Sequence, residues 1–442
     1  MRPTLFPLLL TLLLPVAAHA QQEEVFPDGK HISAWFSESG KVDISTLGKQ
    51  YVVTRYGVRR DSTRVQTEAI QKVIDLAAAD GGGVIVIPKG TFLSGNLFFK
   101  PGTHLLIRKG GVLKGSDRIA DFQVMETRIE GQTCQYFPAL VNADGVDGFT
   151  IAGEGTLDGN GFHYWEEFWI RRAWNRQCTN KDAQRPRLVY ISNSSNVTIQ
   201  DVRMRNSPYW TNHIYRCDHV RYLDLHITSA TEGVKAPSTD AIDIDACHDV
   251  LVRGCYMSVN DDAVELKGGK GTWADQDPTN GPCRDIIIED CTFRKTHGCL
   301  TLGSESVDDR NVILRRCHVE DSYNLLWLKM RPDTPQRSEY VTVEGITGRS
   351  SNGISCYPWT QFYDLGDRQD MPMSVCAHIT LRAIRMHCRN FFQVQPSDKY
   401  TFHDFTFEDI DVEDEAAEIP FSTTTVLETR VHHVRINGME VH

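Results

Sequence analysis

What the chain lacks narrows its class. Past the N-terminus no run approaches the roughly 20 apolar residues that a membrane-spanning helix needs, so no such helix is expected. Positive charge is in deficit. There are 47 Lys and Arg against 58 Asp and Glu, a formal net charge of −11, which argues against nucleic acid as the main partner. The fixed Leu/Asn pattern of leucine-rich repeats is missing, most of the chain has no helical period, and no stretch reads as an interdomain linker. No Cys stands directly after the N-terminal leader's expected cleavage point, where Gln21 is found, which argues against a lipoprotein.

That leader has an early Arg2, an apolar run from Leu5 to Leu14 and an A-x-A-like end at Ala18-His19-Ala20. It reads as a secretory signal over residues 1–20, with a secreted or periplasmic protein beginning near Gln21. Residues 21–442 then form one domain. Hydrophobic residues make up 40% of the chain, enough for a sizeable core.

A repeat is present. Val197, Val220, Val250, Ile286, Val312, Val341, Ile379, Phe405 and Val434 each open a short alternating segment, at spacings of 23 to 38 residues. Five positions on, each unit places Val202, Leu225, Cys255, Cys291, Cys317, Ile346, Ile384, Ile410 or Met439. A unit this short cannot bury its apolar face alone, whereas stacked units bury a continuous core. The expected fold is all-β, a right-handed parallel β-helix. Cys255, Cys291 and Cys317 share a column with aliphatics and read as small buried apolar residues, and Cys134 and Cys178, in irregular regions, are the better disulfide candidates. The segment from Ser62 to Gly83 reads as one helix capping the solenoid's open end. Ser62 or Thr63 would cap it, Ala69, Ile70, Val73, Ile74 and Ala77 form its apolar stripe, and Gly81 stops it.

Strand alternation places the charged residues. Ile242 and Ile244, Val264 and Leu266, Leu300 and Leu302, and Leu326 and Leu328 should point inward. Asp243, Asp245, Asp261, Glu265, Lys267, His297, Thr301, Trp327 and Lys329 then point outward. Asp240 and Asp262 share a column that parity alone would aim into the core. Two unpaired carboxylates there would be prohibitive, so the strands must begin just after them, with both in the preceding turn. Asp240, Asp261, Asp262 and His297 thereby cluster on neighbouring coils. Crowded carboxylates repel and some should hold protons, which suits acid/base chemistry. An Asn/Asp turn ladder or a calcium site would use the same residues.

At these residues the sequence resembles glycoside hydrolase family 28, the polygalacturonases, whose four motifs lie on successive β-helix coils. Here the motifs read Ser238-Thr239-Asp240, Asn260-Asp261-Asp262, Thr296-His297-Gly298 and Trp327-Leu328-Lys329. The resemblance covers roughly residues 50 to 440. It implies hydrolysis, with inversion and no cofactor, of α-linked galacturonic acid in pectic poly- or oligosaccharides. Asp261 would be the general acid, kept protonated by its acidic neighbours. Asp240 and Asp262 would activate water, and His297 would hold Asp261 in its active state. In the family the motif Arg and Lys hold the galacturonate carboxylate. Here Trp327 replaces that Arg, so Lys329 with Arg331 would bind the carboxylate and Trp327 would stack on a sugar. Lys267 and Glu265, and Asn212 and His213 one coil earlier, are further candidates for the cleft. Trp-bearing insertions after Tyr164 and Lys267 would wall one end and favour exo action, and the Trp327 departure admits a rhamnogalacturonan-directed galacturonidase. A calcium-dependent pectate lyase and a non-catalytic carbohydrate-binding β-helix are the rivals. No metal is expected, and a monomer is.

Overall fold

The computed structural model describes residues 24–230, 233–416 and 426–441. The expected leader lies outside them. Parallel strands wind through one 29-stranded sheet in three ladders. One ladder starts at Gln50–Val52, Gly83–Ile87 and Thr103–Ile107. A second starts at Gly90–Ser94 and Gly111–Gly115. The third carries the acidic motifs, through Asn212–Tyr215, Ile242–Asp245, Val264–Lys267, Gly298–Gly303 and His318–Lys329. This is an all-β parallel β-helix.

The repeat columns are the core. Val197, Val220, Val250, Ile286, Val312, Val341, Ile379 and Phe405 stand in register and fully buried. Cys255, Cys291 and Cys317 lie inside the same core. The last unit departs from the expected register. Val434 pairs with Ile410, whereas Thr429 takes the position opposite Phe405. Met439 turns back antiparallel to Ile436 and is 56% exposed. The final coil thus sits five residues out of the sequence pattern: Val434 is the apolar residue that can face Ile410, and among the described residues no further coil covers Met439.

The capping helix is Thr67–Ala79, later than expected. Gln66 precedes it without a side-chain cap, and Ile70, Val73, Ile74 and Ala77 are its buried stripe. Thr63 cannot cap it because its N–H and hydroxyl both donate to Asp61 Oδ1, at 2.9 and 2.7 Å, closing a local turn. Gly81 ends the helix at φ +94°, a conformation in which a side chain would be strained. Cys134 and Cys178 are free thiols, as are the other ten cysteines. The Cys178 thiol donates to the Thr179 carbonyl, so the expected disulfide is absent.

Candidate active site

Two left-handed residues lift the acidic motifs out of the core. Ser238 (φ +53°) precedes Asp240, and Asn260 (φ +40°) precedes Asp261. The strands Ile242–Asp245 and Val264–Lys267 begin only after the aspartates, which therefore stay in the turns. Register sets Asp240 beside Asp262, since Ile242 pairs with Val264. The His297 N–H donates to the Asp261 carbonyl at 2.9 Å, which sets His297 beside Asp261. The four residues expected to cluster do so.

Their environments differ. Asp261 is the accessible carboxylate, its side chain 22% exposed beside a 37% exposed His297. Its Oδ1 lies 3.2 Å from His297 Nδ1, and its Oδ2 accepts the Ser238 N–H at 3.0 Å. Asp262 is fully buried below. The Lys329 ammonium donates to its Oδ2 at 2.5 Å and the Thr301 hydroxyl to its Oδ1 at 2.9 Å. Asp240, Asp262 and Glu265 each bring an oxygen within 4.8 Å of the others. Lys329, 3.3 Å from Glu265, supplies a built-in cation to this group. Gly298 makes the arrangement possible: a Cβ there would lie 2.0 Å from Thr301 Oγ1 and 2.9 Å from Asp262 Oδ1.

These contacts divide the protons. Burial pushes the Asp240 carboxyl well above the ordinary carboxylate range, and the charges of Asp261, Asp243 and Glu265 push the same way. Burial pushes Asp262 up to about 6, with Lys329 pulling against it. Asp261 goes the other way. Burial would raise it, but the His297 imidazole and the Lys329 ammonium hold it well below the usual range. The expectation that acidic neighbours keep Asp261 protonated is thus reversed, because a cationic ring contacts it directly. Burial opposes the charge on His297, and Asp261 outweighs it and raises the ring above its ordinary value.

The cluster floors a cavity of about 230 Å³. Asp240, Asp261, Glu265, Lys267, His297, Trp327 and Lys329 reach it. Asn212 and His213 do not. Asn212 shares the inward parity of Ile242 and donates to the Ala241 carbonyl at 2.9 Å. His213 is fully buried between Arg187, at 2.7 Å, and Asp245, at 3.4 Å, and burial drives its ring down to about 3. Arg331 borders the cavity, but Asp333 holds its guanidinium at 2.7 and 2.8 Å and the Gln361 carbonyl accepts a further N–H at 3.1 Å. It fastens the loop after Cys356. Trp327 is only 4% exposed, packed edge-on against Trp359 at 5.5 Å and near Tyr357 at 5.9 Å. Its ring lies beneath that loop.

The cavity walls come from residues that sequence reasoning did not assign. The first Trp-bearing insertion is a helix, Phe162–Trp174, docked by Tyr164, Trp165 and Phe168. The Trp165 indole donates to the Ser207 carbonyl at 3.1 Å, and the Trp169 indole to the Lys235 carbonyl at 2.6 Å. Trp169 and Arg172 thereby line one wall, Lys270 and Glu305 another, and Trp359 a third. The tryptophans marked the insertions, but no period predicted which side chains would turn inward.

Known proteins share this arrangement of coils. A probable endo-xylogalacturonan hydrolase A of Aspergillus fumigatus is 27% identical over 298 residues, 65% of this chain, and the chain spans 64% of that relative's length. An exopolygalacturonase of Zea mays is 24% identical over 383 residues, 79% of this chain and 85% of its own. Among solved structures, a hyperthermoactive exopolygalacturonase from Thermotoga maritima matches with a TM-score of 0.71 at 20% identity, over 88% of this chain and 92% of that one. Polygalacturonase from Erwinia carotovora matches with a TM-score of 0.64 at 20% identity, over 85% and 95%. The sequence profile of glycosyl hydrolases family 28 matches residues 84–420, most of the chain, and the protein belongs to that family.

Proposed function

We propose that the protein is an inverting hydrolase of α-linked galacturonides in pectic poly- or oligosaccharides, acting from a chain end. The observation that carries this reading is the convergence of Asp240, Asp261, Asp262 and His297 beneath one cavity, with their protons unevenly held. An inverting mechanism needs an acid for the leaving oxygen and a base for water on the opposite face. Asp261, with His297, is the acid. Its proton rests on the ring 3.2 Å away. A sugar seated on the pair displaces the water that supports separated charges, so the neutral pair, with the proton on Asp261, gains ground. Asp240 and Asp262 act as one base that titrates as a unit. At rest Asp240, the more strongly raised of the two, holds the proton and Asp262 is ionised. When that proton passes to Asp262, whose oxygen lies within 4.8 Å, Asp240 faces the cavity ionised and takes the proton of the attacking water.

The insertions that wall the cavity support exo action. Trp327, where the family has Arg, favours a rhamnogalacturonan-directed galacturonidase as the second reading. The expected leader fits an exported enzyme.

Product analysis on pectic oligosaccharides tests the proposal. Saturated galacturonic acid released from the start, with or without EDTA, and lost in Asp261→Asn, is the expected result. An unsaturated product, or activity lost in EDTA, would mean a lyase. Binding with no turnover would mean a carbohydrate-binding β-helix.

A further inference from the structure

The cations around the cavity are not equally engaged. Lys267 meets Asp243, Glu265 and Glu305 at 3.4, 2.7 and 3.2 Å. Lys329 meets Asp262 and Glu265 at 2.5 and 3.3 Å. Arg331 is held two-pronged by Asp333. Lys270 stands 3.8 Å from Glu305 and 3.9 Å from Glu130. Each of these ammonium or guanidinium groups answers a carboxylate of the protein itself.

Arg172 does not. It sits in the last turn of the helix Phe162–Trp174 and lines the cavity. Its Nη2 donates only to neutral oxygens, the Cys178 carbonyl and Asn180 Oδ1, both at 3.2 Å. Its Nε–H is buried without a partner, and among the described residues no carboxylate pairs with the guanidinium. The rings of Phe168 and Phe362 stand 4.6 and 5.6 Å from its central carbon. They fix the plane of the group and reduce its contact with water.

A partly desolvated cation with unused donors costs stability unless something answers it. A planar fork of N–H groups matches a carboxylate. The strand position that the family uses for such a contact is spent here: Trp327 is apolar, and Lys329 is drawn down to Asp262 and Glu265. We propose that Arg172, on the helical wall, binds the uronate carboxylate of the substrate sugar in place of the strand-borne cations. This assignment rests on the galacturonide reading above.

The test compares digalacturonate with its carboxyl-reduced, neutral counterpart, using the wild type, Arg172→Ala and Arg172→Lys. The wild type should favour the charged substrate in kcat/KM by about 10- to 100-fold, the worth of a charge-assisted contact. Arg172→Ala should lose that preference, mostly through KM, with the neutral substrate unaffected, and Arg172→Lys should recover part of it. If Arg172→Ala weakens both substrates equally, or neither, the assignment is overturned. A wild type that cleaves neither sugar would sink the hydrolase reading but not this test. Calorimetric binding to Asp261→Asn should still favour the charged dimer, and Asp261→Asn/Arg172→Ala should not. Equal binding of the two dimers by Asp261→Asn overturns the proposal by itself.

Discussion

Adjacent carboxyls can be shifted in opposite directions from the ordinary carboxylate value, and Asp261 and Asp262 show how. One touches a cationic ring, and the other lies buried under a single ammonium with further carboxylates beside it. The consequence is a bell-shaped pH profile. Asp262 is held at about 6, so below that pH the Asp240–Asp262 base is fully protonated and kcat/KM should fall. On the alkaline side the limb should follow loss of the proton shared by His297 and Asp261, above the ordinary histidine value. His297→Ala should abolish the alkaline limb's ordinary position and lower kcat by about 100-fold or more, the range of a general-acid contribution. A flat profile between pH 5 and 8 in the wild type would contradict this division of protons. Gly298 offers a steric test of the same cluster. In Gly298→Ala the methyl would meet Thr301 Oγ1, so Asp262 should lose that hydroxyl and turnover should drop, with the fold intact by circular dichroism.

Among the elements, regular strands were readable and irregular walls were not. The repeat columns follow from period-two alternation, and parity placed Asp240 and Asp262 in the turns because a core cannot hold them unpaired. Sequence position also offered His213, one coil earlier, as a cleft residue. It could not reveal that the hairpin Met125–Tyr136, through Arg128, and the Arg187 side chain cover that column and bury the ring. The helix Phe162–Trp174 escaped for a different reason: its docking face is Tyr164, Trp165 and Phe168, set by the surface it covers rather than by an evident repeat. A second covering element is the segment before residue 40. Phe26, Ile32 and Phe36 pack on Leu223, Leu251, Ile287 and Ile313, and Arg253 donates to the Ser39 and Phe36 carbonyls at 2.9 and 2.8 Å. Beneath it Glu289, 3% exposed, pairs with Arg253, Arg315 and Arg316 at 2.5, 2.8 and 2.8 Å. Glu289→Ala leaves Arg253 without a carboxylate among the described residues, while Arg315 keeps Glu24 and Arg316 keeps Asp290, and should cost about 1.5–3 kcal/mol in denaturant unfolding. Burial would raise Glu289, but Arg315 and Arg253 hold it below its ordinary 4.5. A lowered carboxyl stabilises above the unfolded value, so this contribution should be present above pH 4.5 and vanish as pH falls through the lower, folded value. A variant as stable as the wild type at pH 7 would show that the cluster contributes nothing.

For the molecule as a whole, stability comes from stacking rather than cross-linking. Twelve cysteines in a chain whose N-terminal sequence reads as an export leader would ordinarily suggest disulfides. All twelve are free, and eleven are buried, most of them within the continuous core that the coils share. The columns explain why. A thiol at Cys255, Cys291 or Cys317 takes the place that Leu225 and Ile346 take on neighbouring coils, and its S–H donates to a backbone carbonyl, that of Arg253, Glu289 or Arg315. Burial pushes the Cys291 thiol well above its ordinary value, so the reactive thiolate is suppressed. Two measurements follow from one cause. A thiol reagent applied to the native protein should modify Cys134, the one cysteine not fully buried, and leave the rest until unfolding. Thermal unfolding should be the same with and without reductant, because no covalent constraint exists to remove. A reductant-dependent loss of about 2–5 kcal/mol, the usual cost of breaking a native disulfide, would mean that the columns are cross-linked after all.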